Sequence, residues 1–194
     1  MKVLGIYGSP REGGNSDILL DHVLEGAATA GVDISRIYVR DIAFSPCTEC
    51  GGCDETGVCV IDDGMQDLYP LLLDARVIFL ASPVFFYGLS AQAKALVDRC
   101  QALWRRRRLN KTAEERRWYD GGCGFLVMTG AAYGLHLFIG GELTAKYFFD
   151  SLDKSYGGGL FCRAEEKGDI LGKPAELKRG FEFGKEGVRC VGNG

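Results

Sequence analysis

Hydrophobic residues along the chain alternate between two patterns. Apolar runs of about 4–8 residues are typical of buried strands, and longer stretches with apolar residues every three or four positions are typical of helices. The first helical stretch, for example, carries Ile18, Leu19, Val23 and Leu24 on one face and ends at Gly31. The pattern predicts strands at 2–7, 34–39, 76–81, 123–128 and 160–164, and helices at 15–30, 64–74, 90–104, about 140–155 and 174–185.

Five strands separated by helices indicate an α/β fold with a doubly wound parallel sheet. The right-handed crossover rule leaves few topologies, and at this length the flavodoxin-like strand order 2-1-3-4-5 is expected. Nothing divides the chain, so one domain is predicted over residues 1–194. The segments 44–61 and 105–121 are predicted to be loops inserted into it. In such a sheet, ligands bind beyond the carboxyl ends of the first and third strands.

Composition narrows the class of protein. Apolar residues make up 46% of the 194 residues, the net charge is −3, and no apolar run approaches the ~20 residues of a membrane span. We therefore expect a cytoplasmic protein that binds neither membrane nor nucleic acid. The segment 105–117 is locally basic, with seven basic residues against two acidic ones. It is either a solvated loop or subunit contact, or a docking patch for an acidic electron-transfer partner or a nucleotide phosphate.

The loop after the first strand, Gly8–Ser16, has the composition of a phosphate site. Its glycines let the backbone approach a ligand, and a following helix offers free N–H groups. It has neither the Lys of the triphosphate loop nor the G-x-G-x-x-G of dinucleotide sites, which leaves a monophosphate; the alternative is a plain turn that caps the helix. The predicted phosphate contacts are Ser9, Arg11, Asn15 and Ser16.

Aromatic residues follow the third predicted strand, and small polar residues follow the fourth. Aromatic rings at a strand's end suit a planar ligand, although they could equally belong to a subunit interface. The predicted contacts with a planar ring are Pro83, Val84, Phe85, Phe86, Tyr87 and Gly88, with Thr129 and Gly130 beyond them.

Four cysteines, Cys47, Cys50, Cys53 and Cys59, fall within thirteen residues. This spacing suits one compact metal centre, for which we expect a [4Fe–4S] cluster. An empty thiol-bearing loop is the first alternative, and zinc is a distant one because its ligands usually come as two separated pairs. The remaining cysteines share no spacing and are predicted to be mostly small hydrophobic residues rather than disulfides; they are Cys100, Cys123, Cys162 and Cys190.

Together, the run GSPREGGNS, the cysteine motif followed by VIDDGM, and SPVFFYG with Lys94 and Asp98-Arg99 downstream resemble the NADPH-dependent FMN reductase-like superfamily. Within it the chain is most similar to the iron–sulfur flavoproteins. The resemblance implies FMN as cofactor, held by the phosphate and ring contacts named above, with the four clustered cysteines as metal ligands. It also implies a homodimer or higher oligomer.

The expected function is that of an FMN-dependent oxidoreductase. Electrons would pass from NAD(P)H through FMN to a small acceptor such as a quinone or flavin, and no side chain is predicted to be catalytic because the flavin does the chemistry. The alternative is an electron carrier that takes electrons from a ferredoxin-like partner. We expect a homodimer or tetramer because Phe85, Phe86, Tyr87 and Trp104 leave much apolar surface near the ligand edge.

Overall fold

A computed structural model describes residues 1–191. Its centre is a five-stranded, fully parallel sheet with the order β2-β1-β3-β4-β5, which confirms the predicted topology. Residues 192–194 of the predicted domain lie outside the described residues. The strands are β1 (Lys2–Tyr7), β2 (Asp33–Tyr38), β3 (Val77–Pro83), β4 (Cys123–Gly130) and β5 (Ser155–Arg163).

Helices cover both faces of the sheet. Alternate residues of each strand point to opposite faces, so Val3 and Tyr7 pack in one core cluster and Leu4 and Ile6 in the other. The first cluster lies under α1 and α6, and the second lies under α2, α3 and α5. The helices are α1 (Asn15–Ala28), α2 (Met65–Asp74), α3 (Ala91–Arg99), α4 (Gln101–Asn110), α5 (Ile139–Ser151) and α6 (Pro174–Gly187).

The fifth strand begins five residues before the predicted position. The sequence here contains Gly157, Gly158 and Gly159, which have no side chains to form an alternating pattern and have low strand propensity. Pairing with β4 imposes the extended conformation instead, and the register shifts between Gly124 and Phe125. The strand is therefore decided by its neighbour rather than by its own residues.

The predicted helix at 90–104 is two helices, α3 and α4, which meet at Cys100. At the break between the two helices, the hydroxyl of Tyr69 donates to the carbonyl of Arg99 at 3.0 Å. This carbonyl therefore has a partner from another part of the fold. The predicted basic loop at 105–121 is also partly wrong, because α4 continues through Asn110. Its first six residues are helical.

Two cysteines that were predicted to be separate core residues are joined. Cys123, at the start of β4, forms a disulfide with Cys190, which follows α6. They are 67 residues apart in sequence, so no local spacing could have revealed the pair. Cys100 and Cys162 are free and buried, as predicted.

Among residues 1–191, no helix has the length and apolar character needed to cross a membrane.

Candidate functional site

A cavity of about 210 Å³ lies at the carboxyl ends of β1, β3 and β4. It is where the strand order reverses and where a ligand was expected. It gathers nine of the twelve predicted FMN contacts: Ser9, Arg11, Asn15, Ser16, Pro83, Val84, Phe85, Thr129 and Gly130. Residues that the sequence analysis did not single out complete the lining, namely Pro10, Gly14, Ala131, Ala164, Glu165 and Lys167.

The loop before α1 is shaped by its own short hydrogen bonds. The hydroxyl of Ser9 donates to the carbonyl of Arg11 and accepts from the N–H of Arg11, both at 3.0 Å. Gly13 has a left-handed backbone (φ 61°), which favours glycine. At Gly14 a Cβ atom would stand 3.3 Å from both the Ser9 hydroxyl and the Arg11 carbonyl, so the turn has little room for a side chain.

The first turn of α1 faces the cavity without a side-chain cap. Gly14 precedes the helix and contributes no side-chain hydrogen bond. A helix leaves its first N–H groups without intrahelical partners, and these groups attract an anion. The hydroxyl of Ser16 is buried and has no hydrogen-bond partner among the described residues. A buried hydroxyl without a partner at an uncapped helix end is what a phosphate oxygen would satisfy.

Asn15 lines the cavity and also makes hydrogen bonds that the sequence did not predict. Its amide nitrogen donates to the carbonyl of Glu166 at 2.8 Å. Its amide oxygen accepts from the N–H groups of Gly168 and Ile170. The side chain therefore fastens the loop after β5 to the start of α1. This contact brings Lys167 to the cavity, and its Cε lies near Gly13.

An ion pair between Arg40 and Asp17 stabilises the loop before α1. Arg40 donates to the carboxylate of Asp17 at 2.9 Å, and the N–H of Gly13 donates to the same oxygen at 3.2 Å. Burial raises the pKa of Asp17, while Arg40 and the Gly13 N–H oppose that rise. The Arg40 guanidinium also reaches the carbonyl of Ser9 at 3.4 Å. Arg40 thus holds both the loop and the first turn of α1.

A buried serine pair, missed by the sequence analysis, connects the first and third strand loops. The N–H of Ser90 donates to the hydroxyl of Ser82 at 2.9 Å, and the hydroxyl of Ser90 caps α3 through the N–H of Ala93. The same Ser90 hydroxyl bonds to the carbonyl of Gly8. Only the N-cap position of Ser90, before an apolar helix, could have indicated this role.

Three predicted ring contacts lie outside the cavity lining. Phe85 and Gly88 exchange backbone hydrogen bonds around a two-residue turn. Both central residues, Phe86 and Tyr87, have positive φ (48° and 62°), which is rare for bulky side chains. The Phe86 side chain is fully exposed, and the Tyr87 hydroxyl lies against Gly134 in the loop after β4. Of the turn's four residues, Phe85 therefore lines the cavity, and Phe86, Tyr87 and Gly88 lie beyond its lining.

The clustered cysteines surround a second cavity, of about 240 Å³. All four line it: Cys47, Cys50, Cys53 and Cys59. Its remaining wall comes from residues between and just after these cysteines and from Arg99, Gln101, Ala102 and Arg105 of the α3–α4 region. Among residues 1–191, no three His, Cys, Asp or Glu side chains are close enough to share a single metal ion.

Glycines shape the cysteine segment. Gly51 and Gly57 both have left-handed backbones, with φ of 74° and 67°. At Gly57 a Cβ atom would lie 2.6 Å from the Cα of Arg106, so the segment packs directly on α4. The carboxylate of Asp63 closes the segment by accepting from the N–H of Ser45 at 2.9 Å.

Much of the basic segment serves the fold. Arg107 is buried and pairs with Asp150 and Asp153, and Lys111 pairs with Asp153 and Asp120. Arg107 also donates to two carbonyls of the loop after α4. The side chains that remain exposed are Arg106, Arg108 and Arg117.

Comparison with known proteins agrees with this geometry. The model of the family described as NADPH-dependent FMN reductase matches residues 1–135. The chain belongs to the NADPH-dependent FMN reductase family. Both cavities draw most of their lining from the matched residues, whereas Ala164, Glu165 and Lys167 lie beyond them.

Curated proteins that the chain resembles include iron–sulfur flavoproteins. One from Methanocaldococcus jannaschii is 41% identical over 103 residues, covering 53% of each protein. The chain spans about half the length of this protein and of several similar iron–sulfur flavoproteins. Another iron–sulfur flavoprotein of the same organism is 25% identical over 192 residues, covering 98% of this chain and 91% of that protein.

Solved structures in the wider fold align over almost the whole chain. An NAD(P)H:quinone oxidoreductase from Methanothermobacter marburgensis aligns with a TM-score of 0.70 at 13% identity, covering 96% of this chain and 95% of that one. An FMN-dependent NADH-azoreductase from Bacillus anthracis, solved with FMN, aligns with a TM-score of 0.64 at 13% identity over both full lengths. At such low identity these structures establish the flavodoxin-like fold.

Proposed function

We propose that the protein is an FMN-dependent oxidoreductase that takes electrons from NAD(P)H and delivers them to a small acceptor such as a quinone or flavin. The observation that carries this proposal is the cavity at the ends of β1, β3 and β4, with the buried, unpartnered hydroxyl of Ser16 at an uncapped helix end. Membership in the FMN reductase family supports it.

The lining residues divide by chemistry in a way that suits FMN. The N–H groups of α1, the Ser16 hydroxyl and the Arg11 guanidinium would hold the phosphate, with Lys167 adding positive charge. Pro83, Val84 and Phe85 would face the ring from one side, and Thr129 and Gly130 from the other. When bound, FMN supplies the exchange between a two-electron donor and one- or two-electron acceptors.

Flavin titration of protein purified without oxygen tests this proposal. Arg11→Ala is expected to weaken FMN binding by about 1–3 kcal/mol, because it removes a charge-assisted contact. Ser16→Ala is expected to weaken it by about 1 kcal/mol. Fluorescence quenching of FMN measures both. Arg108→Ala is the matched control: it also removes one exposed guanidinium, but on α4 and outside the cavity, and should bind like wild type. Wild-type protein that binds no flavin would refute the proposal.

We further propose that the cysteine cavity holds a [4Fe–4S] cluster. In such a cluster each thiolate binds a different iron, so the ligands must surround a common space instead of meeting at one point. Four cysteines around one cavity of about 240 Å³ fit this requirement. The similarity to iron–sulfur flavoproteins supports the assignment.

An electron carrier is the second candidate function. The observation that favours it is that Cys50 is exposed at the cysteine cavity, whose wall includes Arg105. The next residue on α4, Arg106, is exposed as well, and exposed cations would suit an acidic ferredoxin-like partner. Rapid NADPH oxidation by the isolated protein would favour the enzyme. Reduction by a ferredoxin-like protein, with negligible NADPH oxidation, would favour the carrier.

We also propose that the protein forms a homodimer or tetramer through its ligand edge. Ile139, Leu143 and Tyr147 recur every four residues on α5 and are all exposed, so they form a stripe on one face. Loop contacts place Tyr87 beside the start of this helix, which extends the apolar surface to Phe86. Exposed apolar surface of this kind is typical of interfaces.

Sedimentation velocity checks the oligomer. Leu143→Lys is expected to shift the wild-type oligomer towards monomer at micromolar protein, because it buries a charge in the proposed interface. Leu71→Lys, which makes the same change at an exposed position on α2, should leave the oligomer intact. A wild-type monomer with FMN bound would contradict the proposal.

A further inference from the structure

Arg99 is an unusual residue for the wall of a thiol-lined cavity. It is the last residue of α3, and its side chain is fully buried. Arginine is rarely buried unless it is hydrogen-bonded and paired with an opposite charge, because the loss of hydration must be compensated. Arg99 is nevertheless one of the residues that line the cysteine cavity.

Four of the five N–H donors of Arg99 have partners. Its terminal nitrogens form a two-pronged pair with the carboxylate of Asp63, at 2.7 and 3.0 Å. They also donate to the carbonyls of Ser45, at 2.7 Å, and Ile61, at 3.4 Å. These three residues flank the cysteine motif on both sides, so the guanidinium clasps the two ends of the segment together.

The fifth donor, the Nε–H, has no partner among the described residues although it is buried. A buried donor without a partner is rare in a folded protein and calls for an explanation. The Ser16 hydroxyl at the proposed FMN cavity is likewise buried and without a partner among the described residues. Because Arg99 lines the cysteine cavity, a sulfur atom of a bound cluster would satisfy its Nε–H.

The charges around the cysteine cavity also favour an interaction between Arg99 and a bound cluster. A [4Fe–4S] cluster with four thiolates is an anion that becomes more negative on reduction, and nearby cations and hydrogen bonds to sulfur raise its potential. Glu49 and Asp54 also line the cavity, but Asp54 is paired with Arg105. The hydrogen bond with Arg99 lowers the pKa of Asp63 to about 2, so this partner is ionised near neutral pH and keeps the guanidinium fixed.

We propose that Arg99 sets the reduction potential of the iron–sulfur cluster, by donating its Nε–H to a sulfur atom of the cluster and placing a fixed positive charge beside it. This role rests on the proposed presence of the cluster. It differs from a purely structural role, in which Arg99 would only clasp the segment and the potential would not depend on its charge.

The test is a redox titration of the cluster, followed by its visible or electron paramagnetic resonance signal in reconstituted full-length protein. Arg99→Gln is expected to lower the equilibrium constant for one-electron reduction of the cluster about tenfold or more. A tenfold change corresponds to a shift of about 59 mV towards negative potential. Arg99→Lys keeps the charge but loses the Nε–H, and should give a smaller shift of the same sign. Arg108→Gln, with the same charge change on an exposed residue outside the cavity, should not move the potential.

Asp63→Asn provides a variant with the opposite sign. It removes a negative charge close to Arg99 but keeps one side-chain oxygen that can accept from the guanidinium, so the potential should rise. Asp63→Asn also allows the redox titration to be carried out if Arg99→Gln fails to load iron. An unchanged potential in loaded Arg99→Lys and Asp63→Asn protein would overturn the proposal and leave Arg99 as a clasp. Wild-type protein without iron after reconstitution would instead refute the cluster itself, and the role of Arg99 with it.

Discussion

Replacing Cys53 with serine is expected to abolish cluster assembly and to leave FMN binding intact. Each of the four cysteines lines the same cavity, and four cysteine thiolates are the usual ligands of a [4Fe–4S] cluster. The FMN cavity shares no lining residue with the cysteine cavity, so its affinity should stay within about twofold of wild type. Iron and acid-labile sulfide assays, together with flavin titration, measure the two outcomes separately.

Cys162→Ser is the matched control for that experiment. Cys162 is also free, but it is buried in β5 and donates to the carboxylate of Glu176 at 2.9 Å, a bond that serine can retain. The control should therefore load iron like wild type. If Cys53→Ser also keeps its iron and sulfide, the four cysteines do not act as one ligand set.

Replacing Gly184 with alanine is expected to destabilise the protein by about 3 kcal/mol or more. Intrinsic helix propensity predicts the opposite, since alanine favours a helix by about 1 kcal/mol over glycine. However, a Cβ at Gly184 would overlap the carbonyl of Val23 on α1, and backbone cannot move aside as a side chain can. Gly26 makes the reciprocal close approach to the carbonyl of Phe181. Steric exclusion should therefore outweigh propensity.

Urea unfolding measures this effect. Gly172→Ala is the control, because nothing lies within 4 Å of a Cβ at Gly172. It should unfold within about 0.5 kcal/mol of wild type. FMN affinity should fall in Gly184→Ala alone, since α6 follows the loop that Asn15 fastens to the FMN cavity. Unchanged unfolding of Gly184→Ala would show that α1 and α6 can separate at little cost.

The sequence was a sound guide where one local feature decides the structure. Strand β1 was predicted at its observed bounds because a buried parallel strand is a continuous apolar run. Helix α2 was predicted at 64–74 and is observed at Met65–Asp74, because its apolar residues recur with helical spacing. The Gly8–Ser16 loop and the four cysteines could be singled out because the residues of each lie close together in sequence.

Contacts between distant segments were beyond the reach of local patterns. The disulfide of Cys123 with Cys190, the fastening of Asn15 to the loop at 166–170, and the burial of Arg107 all join residues far apart in the chain. In sequence the basic segment is one run of charged residues. In the structure, however, Arg107 and Lys111 both form ion pairs with Asp153, which lies beyond α5.

Sequence by itself determined the class of fold, the strand order and the positions of two segments that line cavities, because hydrophobic periodicity and short motifs act within a few residues. Only the tertiary structure decided which donors in those segments are already satisfied. Asn15 and Ser16 are adjacent and both polar, but Asn15 is bonded to a distant loop, whereas the Ser16 hydroxyl has no partner among residues 1–191. Whether a buried polar group is available to a ligand depends on what packs against it, and that is fixed by the fold.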